Sequence, residues 1–357
     1  MTPQLRRRIG FEIELMAPPG GSRSQLARHL AARAGGRLRP VWHHDSEPSL
    51  VPGLGRFLHL TQGYEVTRRG GDPLCTLVDD VTLLAGLDPR APAPPGQFRI
   101  LSDDPRLLAL LARHSDPGGR LAGSLDAAAR LWGTKVQRHG DIYRLDDPSG
   151  AAIALAAPQG GERDRPCEVV TPPLARDHHA RLEELLAPAR ERGFTVPREA
   201  AVHLHVDGAP FRSAGVLANV VRLFAYWREP LRALLQTNPR CRRLAPLPAP
   251  LVEAVAGAPT FEQLRAAASA GGLTKFFDVN LTQVFAEQPL RDTVEIRILP
   301  GSISADEIVN RAALVELLLD RCADPAPIPA PPAVPSAAVA ELMELAAGAL
   351  AGRQPSR

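Results

Sequence analysis

Two short polar runs carry the first chemical signal, Glu12-Ile13-Glu14 and His203-Leu204-His205. Each is framed by apolar residues, as Phe11-Glu12-Ile13-Glu14-Leu15 and Val202-His203-Leu204-His205-Val206. Side chains of a β-strand alternate between its two faces, so each run sends its polar pair one way and its apolar residues the other. Phe277-Asp278-Val279-Asn280-Leu281 repeats the rule with a carboxylate and an amide, and Val294-Glu295-Ile296-Arg297-Ile298 with an ion pair. Glu168, in Cys167-Glu168-Val169-Val170, adds one more acid. Taken singly, each strand fits the wet face of an antiparallel sheet. Wet faces, however, are built mostly from Thr, Ser, Lys, Arg and Gln, whereas these present Glu, Asp, His and Asn, the donors that divalent cations prefer. Carboxylates gathered on one surface repel one another unless cations neutralise them. Their convergence therefore points to a metal site, and its oxygen-rich composition to Mg²⁺ or Mn²⁺. Mg²⁺ binds through one or two carboxylates together with substrate phosphates, so a nucleotide site follows, with Arg297 placed to meet a phosphate. Neither a GxxxxGK-Ser/Thr loop nor a GxGxxG turn after a strand is present, which excludes the usual glycine-rich nucleotide folds.

The elements that must position these residues alternate without strict βα order. The pattern predicts a strand over 8–16, a turn at Pro18-Pro19-Gly20-Gly21, and a helix over 26–34 capped by Ser22 or Ser24. A meander over 57–87 follows, then a strand over 98–101, helices over 105–113 and 124–132, hairpins over 135–155 and a strand over 167–170. The second half reads as a helix over 178–192, a strand over 201–206, and a helical stretch over 213–236 interrupted at Pro230. Helices over 251–257 and 261–270, strands over 275–281 and 293–299, and a helix over 306–321 complete it. This mixture favours α+β with an antiparallel sheet. The expected organisation is a catalytic domain over 1–323, a Pro/Ala-rich linker over 324–335, and a C-terminal helix and tail over 336–357.

Composition narrows the function. With 357 residues the chain exceeds the roughly 250–300 at which one core stops growing, so one large domain or two smaller ones are expected. Its 45% hydrophobic and 23% charged residues describe a folded soluble protein. A net charge of only +3, spread over 42 basic and 39 acidic residues, gives nucleic-acid binding no support. Arg6-Arg7-Arg8 lead straight into the first strand with no apolar stretch behind them, and no window suits a membrane helix, so neither export nor membrane insertion is expected. Cys75, Cys167, Cys241 and Cys322 are far apart without CxxC spacing, which suits reduced thiols in the cytoplasm. Lys135 and Lys275 are the only lysines, and either a compact ammonium is needed there or the two survive by chance among the arginines. His43-His44-Asp45 reads as surface, and Gly161-Glu162-Arg163-Asp164-Arg165 as either a substrate loop or a mobile charged loop.

In order, GFEIEL (10–15), CEVVTPPL (167–174), HLHVD (203–207), KFFDVNL (275–281) and TVEIRILPG (293–301) resemble the amidoligase family of carboxylate–amine ligases, distant relatives of glutamine synthetase and glutamate–cysteine ligase. The resemblance covers 10 to about 321. It implies a glutamine-synthetase-like fold, a twisted, mainly antiparallel sheet curled into a partial barrel with helices on the convex face. It further implies that Glu12, Glu14, Glu168, His203 and Glu295 bind Mg²⁺ (or Mn²⁺), and that Asp80, with Asp79 a near-equal choice, occupies a further acidic position. Arg297 corresponds to the phosphate-contacting, catalytic arginine. His205 touches substrate or supports the metal ligands, while Asn280 and Lys275 line the ATP site. The implied reaction activates a substrate carboxylate with ATP as an acyl phosphate, which an amine converts to an amide. The acid and amine are an amino acid, a peptide or a protein side chain, and a homo-oligomer is compatible with the family. Two other readings stay open on the residues themselves: a metal-dependent hydrolase using the HxH and carboxylate cluster, and a non-catalytic descendant that binds nucleotide or peptide.

Overall fold

The alternation around Glu12 builds β1 (Ile9–Met16), in which Phe11, Ile13 and Leu15 are fully buried. Burying such side chains stabilises by roughly 1.5–3 kcal/mol each, which makes the apolar face the anchor of the strand. A computed structural model describes residues 3–51, 55–241 and 243–352. Eleven further strands follow: β2 (Arg37–Val51), β3 (Gly55–Thr67), β4 (Pro73–Val78), β5 (Phe98–Ser102), β6 (Val136–His139), β7 (Ile142–Asp146), β8 (Ala152–Pro158), β9 (Pro166–Val170), β10 (Ala201–Asp207), β11 (Val279–Asn280) and β12 (Thr293–Pro300). The helices are α1 (Arg23–Arg33), α2 (Pro105–His114), α3 (Asp126–Trp132), α4 (His178–Glu191), α5 (Ala214–Tyr226), α6 (Arg228–Leu235), α7 (Ala249–Ala254), α8 (Phe261–Ala270), α9 (Thr282–Phe285), α10 (Ala305–Cys322) and α11 (Pro335–Gly352). The protein is thus α+β, and the ladders between its named strands are antiparallel. Among the described residues no helix is long and apolar enough to cross a membrane.

The chain divides into two compact units, one of Met1–Ile13, Pro172–Leu186 and Arg198–Arg357, the other of Glu14–Thr171 and Ala187–Pro197. In the first unit the strand order is β11-β12-β10-β1. Val202, Leu204 and Val206 of β10 and Val294, Ile296 and Ile298 of β12 are buried, as alternation requires. Helix α6 packs on β12, and α10 on α5 and α11. Glu316, buried in α10, accepts hydrogen bonds from the backbone N–H groups of Arg6 (2.8 Å) and Arg7 (2.6 Å), tying down the segment that leads into β1. The expected helix over 213–236 breaks at Trp227, three residues before Pro230. Proline fits the first turn of a helix, where its missing N–H costs nothing, so Pro230 lies in the first turn of α6 instead of interrupting a longer helix. The expected strand over 275–281 shrinks to Val279–Asn280, because Asp278 turns its N–H to Ala245 O (3.0 Å) and its carboxylate to Arg228 and Arg232 (2.8 and 2.9 Å).

The second unit holds β2 to β9. β2 pairs along the whole length of β3, which leaves β3 one free edge, and both β4 and β5 take it. The sheet therefore forks: β4 and β9 continue from residues 64–67 of β3, and β5, β8, β7 and β6 from residues 58–60. Leu60, Phe98, Ile100, Leu145, Ala154 and Ala156 share one face and form a core with Leu107, Leu108 and Leu111 of α2 and Leu125, Ala128 and Ala129 around α3. Asp104 caps α2 by accepting from Arg106 N and Leu107 N. β2 has no counterpart among the expected strands. Its Pro40 is tolerated because, among the described residues, β2 pairs on one side only. The expected tail helix is observed as α11, and 353–357 lie outside the described residues.

Candidate active site

Register decides which polar groups of the first unit meet. Glu12 lies opposite His203, His205 opposite Glu295, and Glu295 opposite Asn280. Directly paired residues project to the same face, so β1, β10, β12 and β11 each contribute to one polar cluster. Gly10 is the residue opposite His205, which leaves room for that imidazole to lean toward Glu12. One extra residue of β12 is accommodated between the Val202–Leu299 and Leu204–Ile296 pairs, a bulge at Arg297-Ile298. Bulges re-aim side chains next to functional sites, and here Arg297 Nη1 donates to Glu295 Oε1.

The cluster is tightly interlocked. His203 Nδ1 stands 3.3 Å from Glu12 Oε2 and 3.5 Å from Glu295 Oε1, and His205 Nε2 stands 3.0 Å from Glu12 Oε1. Asn280 Nδ2 donates to Glu295 Oε2 at 2.7 Å, while Asn280 Oδ1 accepts from Thr282 N and Oγ1 (3.0 and 2.6 Å), which fixes the amide. His205 Nδ1 is 3.4 Å from Thr293 Oγ1. Burial alone would raise the Glu12 carboxyl, but the His205 and His203 imidazoles together hold it well below the usual carboxylate range. Burial likewise opposes the charge on Glu295, and Arg297 with the imidazoles overcomes it and lowers that carboxyl. Burial would lower His205, yet Glu12 draws it upward. Positive charge at this point is what keeps two buried carboxylates ionised.

The same set suits a cation. Glu12, His205 and Glu295 each offer a ligand atom, and these atoms lie within 4.8 Å of one another. Two carboxylates and an imidazole form a mixed oxygen and nitrogen donor set, and a divalent ion would supply positive charge between the two carboxylates.

The other expected site residues fall as follows. Glu14 is buried on β1, on the same face of that strand as Glu12, and belongs to the second unit. Glu168 lies on β9 opposite Val78 of β4. Asp80 is half-buried and accepts from Thr82 N at 2.7 Å, a turn role. Asp79 is buried, binds Gln159 Nε2 (2.9 Å) and Arg163, and has Arg23 3.9 Å away. Lys275, half-buried, sets its ammonium 5.4 Å from the Phe276 ring. Asp278 shares no role with Asn280: it is buried against Arg228 and Arg232, and burial raises its carboxyl despite them.

Several participants escaped the sequence reading. Arg291, 68% exposed at its side chain, reaches to 3.6 Å from Glu12 Oε1, and Thr293 and Thr282 support His205 and Asn280. Arg291 lies in the loop before β12, where no period applies, so no local signal marks it. The loop over 161–165 is pinned. Arg163 donates to Asp79, Asp80 O and Leu83 O, and Arg165 to Ala17 O, Gly86 O and Glu162.

A family model described as "Putative amidoligase enzyme" matches residues 5–319, nearly the whole chain. No curated protein and no solved structure matches it.

Proposed function

The chain belongs to the amidoligase family, and from that membership we propose an ATP-dependent carboxylate–amine ligase that forms an amide through an acyl phosphate. The observation that carries the reading is the convergence of Glu12, His203, His205 and Glu295 on one sheet face with Arg297 held against Glu295. Glu12, His205 and Glu295, whose ligand atoms lie within 4.8 Å of one another, would hold Mg²⁺ or Mn²⁺, and His203, the imidazole that the resemblance makes a ligand, stands beside them 3.3 Å from Glu12. When bound, the cation neutralises phosphate charge. For Glu14, Glu168 and Asp80 a ligand role rests on the resemblance. A glutamine-synthetase-like sheet accompanies the reading and is supported by the antiparallel pairing in each unit.

The substrate carboxylate attacks the γ-phosphorus of ATP and ADP leaves. The amine then attacks the acyl carbon, phosphate leaves with the C–O electron pair, and a base takes the proton from nitrogen. Arg297 offers its guanidinium to the phosphoryl oxygens as charge builds on them. Asn280 keeps Glu295 oriented, and Lys275 adds a cation toward the nucleotide. Family membership does not favour the hydrolase reading.

The reaction belongs in a reducing cytoplasm, consistent with four free thiols. The deciding assay is ADP release by the purified protein supplied with acid and amine pairs, scored by mass spectrometry for condensation. Expected is ADP formation that needs Mg²⁺ and both substrates and is lost in Glu295→Ala. ADP release indifferent to that substitution, or peptide cleavage without nucleotide, overturns the proposal.

A further inference from the structure

The second unit carries its own polar face. Opposite residues of the β3–β5 ladder, His59 and Leu101, share a face, and Arg99, two residues from Leu101, shares it too. Thr61, two residues from His59, stands beside Arg99 when the ladder is continued by one step. Gln97 and Gln159 meet at the end of the β5–β8 ladder, where Gln159 N donates to Gln97 O at 3.2 Å. This is the point at which the sheet forks. Glu168 projects to the same face, since Glu168 pairs with Val78 and Val78 stands beside Gly63, two residues from Thr61.

What sets the place apart is how its polar atoms are left. Among the described residues the Arg99 guanidinium has no hydrogen-bonding or ion-pairing partner; the side chain is half-buried, and its Nε is buried. Thr61 is 1% exposed, and its hydroxyl has no partner. Gln159 is 3% exposed; its Nε2 donates to Asp79, which fixes the amide orientation, and leaves Oε1 buried without a donor. Gln97 Oε1 is in the same condition. Asp79 acts on Arg99 through its charge but makes no hydrogen bond to it, its oxygens accepting from Arg163 and Gln159 instead. Buried donors and acceptors without partners cost free energy, and groups in that state gathered on one face describe the complement of a ligand. The unmatched cation calls for an anion, the hydroxyl for an oxygen, and the amide oxygens for an N–H donor.

We propose that this face binds the head group of an α-amino acid, with Arg99 and Thr61 receiving the carboxylate and the amide oxygens of Gln159 and Gln97 receiving the ammonium. A carboxylate is the planar partner that a guanidinium fork matches. Identifying this amino acid as a substrate of the amide-forming reaction rests on the ligase reading, whereas the binding itself does not.

Calorimetry on the full chain without ATP or metal, using the twenty L-amino acids as probes, tests it. At least one is expected to bind, while its decarboxylated amine and inorganic phosphate do not. Arg99→Gln should weaken that affinity at least tenfold and Thr61→Val several-fold, with the unfolding temperature unchanged or raised, because Thr61→Val removes a buried hydroxyl and Arg99→Gln a guanidinium, each left without a partner in the free protein. If Arg99→Gln fails to fold, Thr61→Val carries the test. Absence of binding by every amino acid, phosphate binding as tightly, or wild-type affinity in both variants overturns the site. Because no nucleotide is present, loss of this binding and loss of ADP formation are separate results.

Discussion

Replacing Arg297 by Met separates the two jobs proposed for the β12 face. The guanidinium is 12% exposed and donates to Glu295 Oε1, so its charge acts with little solvent screening. A charge-assisted hydrogen bond is worth roughly 1.5–3 kcal/mol, and a preorganised donor facing developing charge about 3 kcal/mol, so turnover should fall about a hundredfold. Metal binding should respond differently. Arg297 and a cation compete for the same Glu295 oxygen, so Arg297→Met should bind Mn²⁺ no more weakly than wild type, while Glu295→Gln loses both metal and turnover. Arg297→Lys should recover only part of the rate, since an ammonium lacks the bidentate fork. ADP release and Mn²⁺ titration on the same preparations give both readouts. Full turnover in Arg297→Met, or Mn²⁺ affinity falling in step with turnover, would refute the division of labour.

Acid should find His59 early. Burial, with Arg99 adding to it, lowers the imidazole from 6.5 to about 4, so the unfolded chain binds the extra proton between those values. Stability contributed by neutral His59 is complete above about pH 6.5 and is lost as pH falls toward 4, about 2 kcal/mol after allowing for solvent screening. Urea unfolding at pH 7 and pH 4.5 should show that loss in wild type and not in His59→Gln; parallel behaviour of the two proteins would exclude it. The thiols should divide as well. Burial pushes Cys167 and Cys322 up to about 12 and Cys75 is buried, whereas Cys241 is half-buried with its thiol directed to Glu199 O. A thiol reagent near neutral pH should therefore titrate Cys241 first in the native protein and all four after denaturation, and equal rates for Cys167 and Cys241 would count against the packing around β9.

Much of the architecture is legible without coordinates because it is local. Burial of Phe11, Ile13 and Leu15, or of Val202, Leu204 and Val206, follows from alternation alone, and so do β1, β10 and β12. Helices with clear periods, such as α2, α8 and α10, lie where expected. β2 was illegible because the prolines and charges in its sequence break the pattern of a paired strand, and among the described residues its pairing with β3 on one side only makes Pro40 harmless. Within the candidate site, the residue types of Glu12, His203, His205, Asn280, Glu295 and Arg297 carry the chemistry in the sequence, but Asp278 matches them in pattern and turns elsewhere.

The sequence by itself determined which strands are two-faced, which side chains on them are of the types proposed to meet metal and phosphate, and which family the chain belongs to, since each depends on residues a few positions apart. Only the tertiary structure decided that Glu12 meets His203, that a bulge sets Arg297 against Glu295, and that Arg99 is left without a partner where the sheet forks within the second unit. Those facts depend on the register between segments up to hundreds of residues apart, which alternation within a strand does not encode.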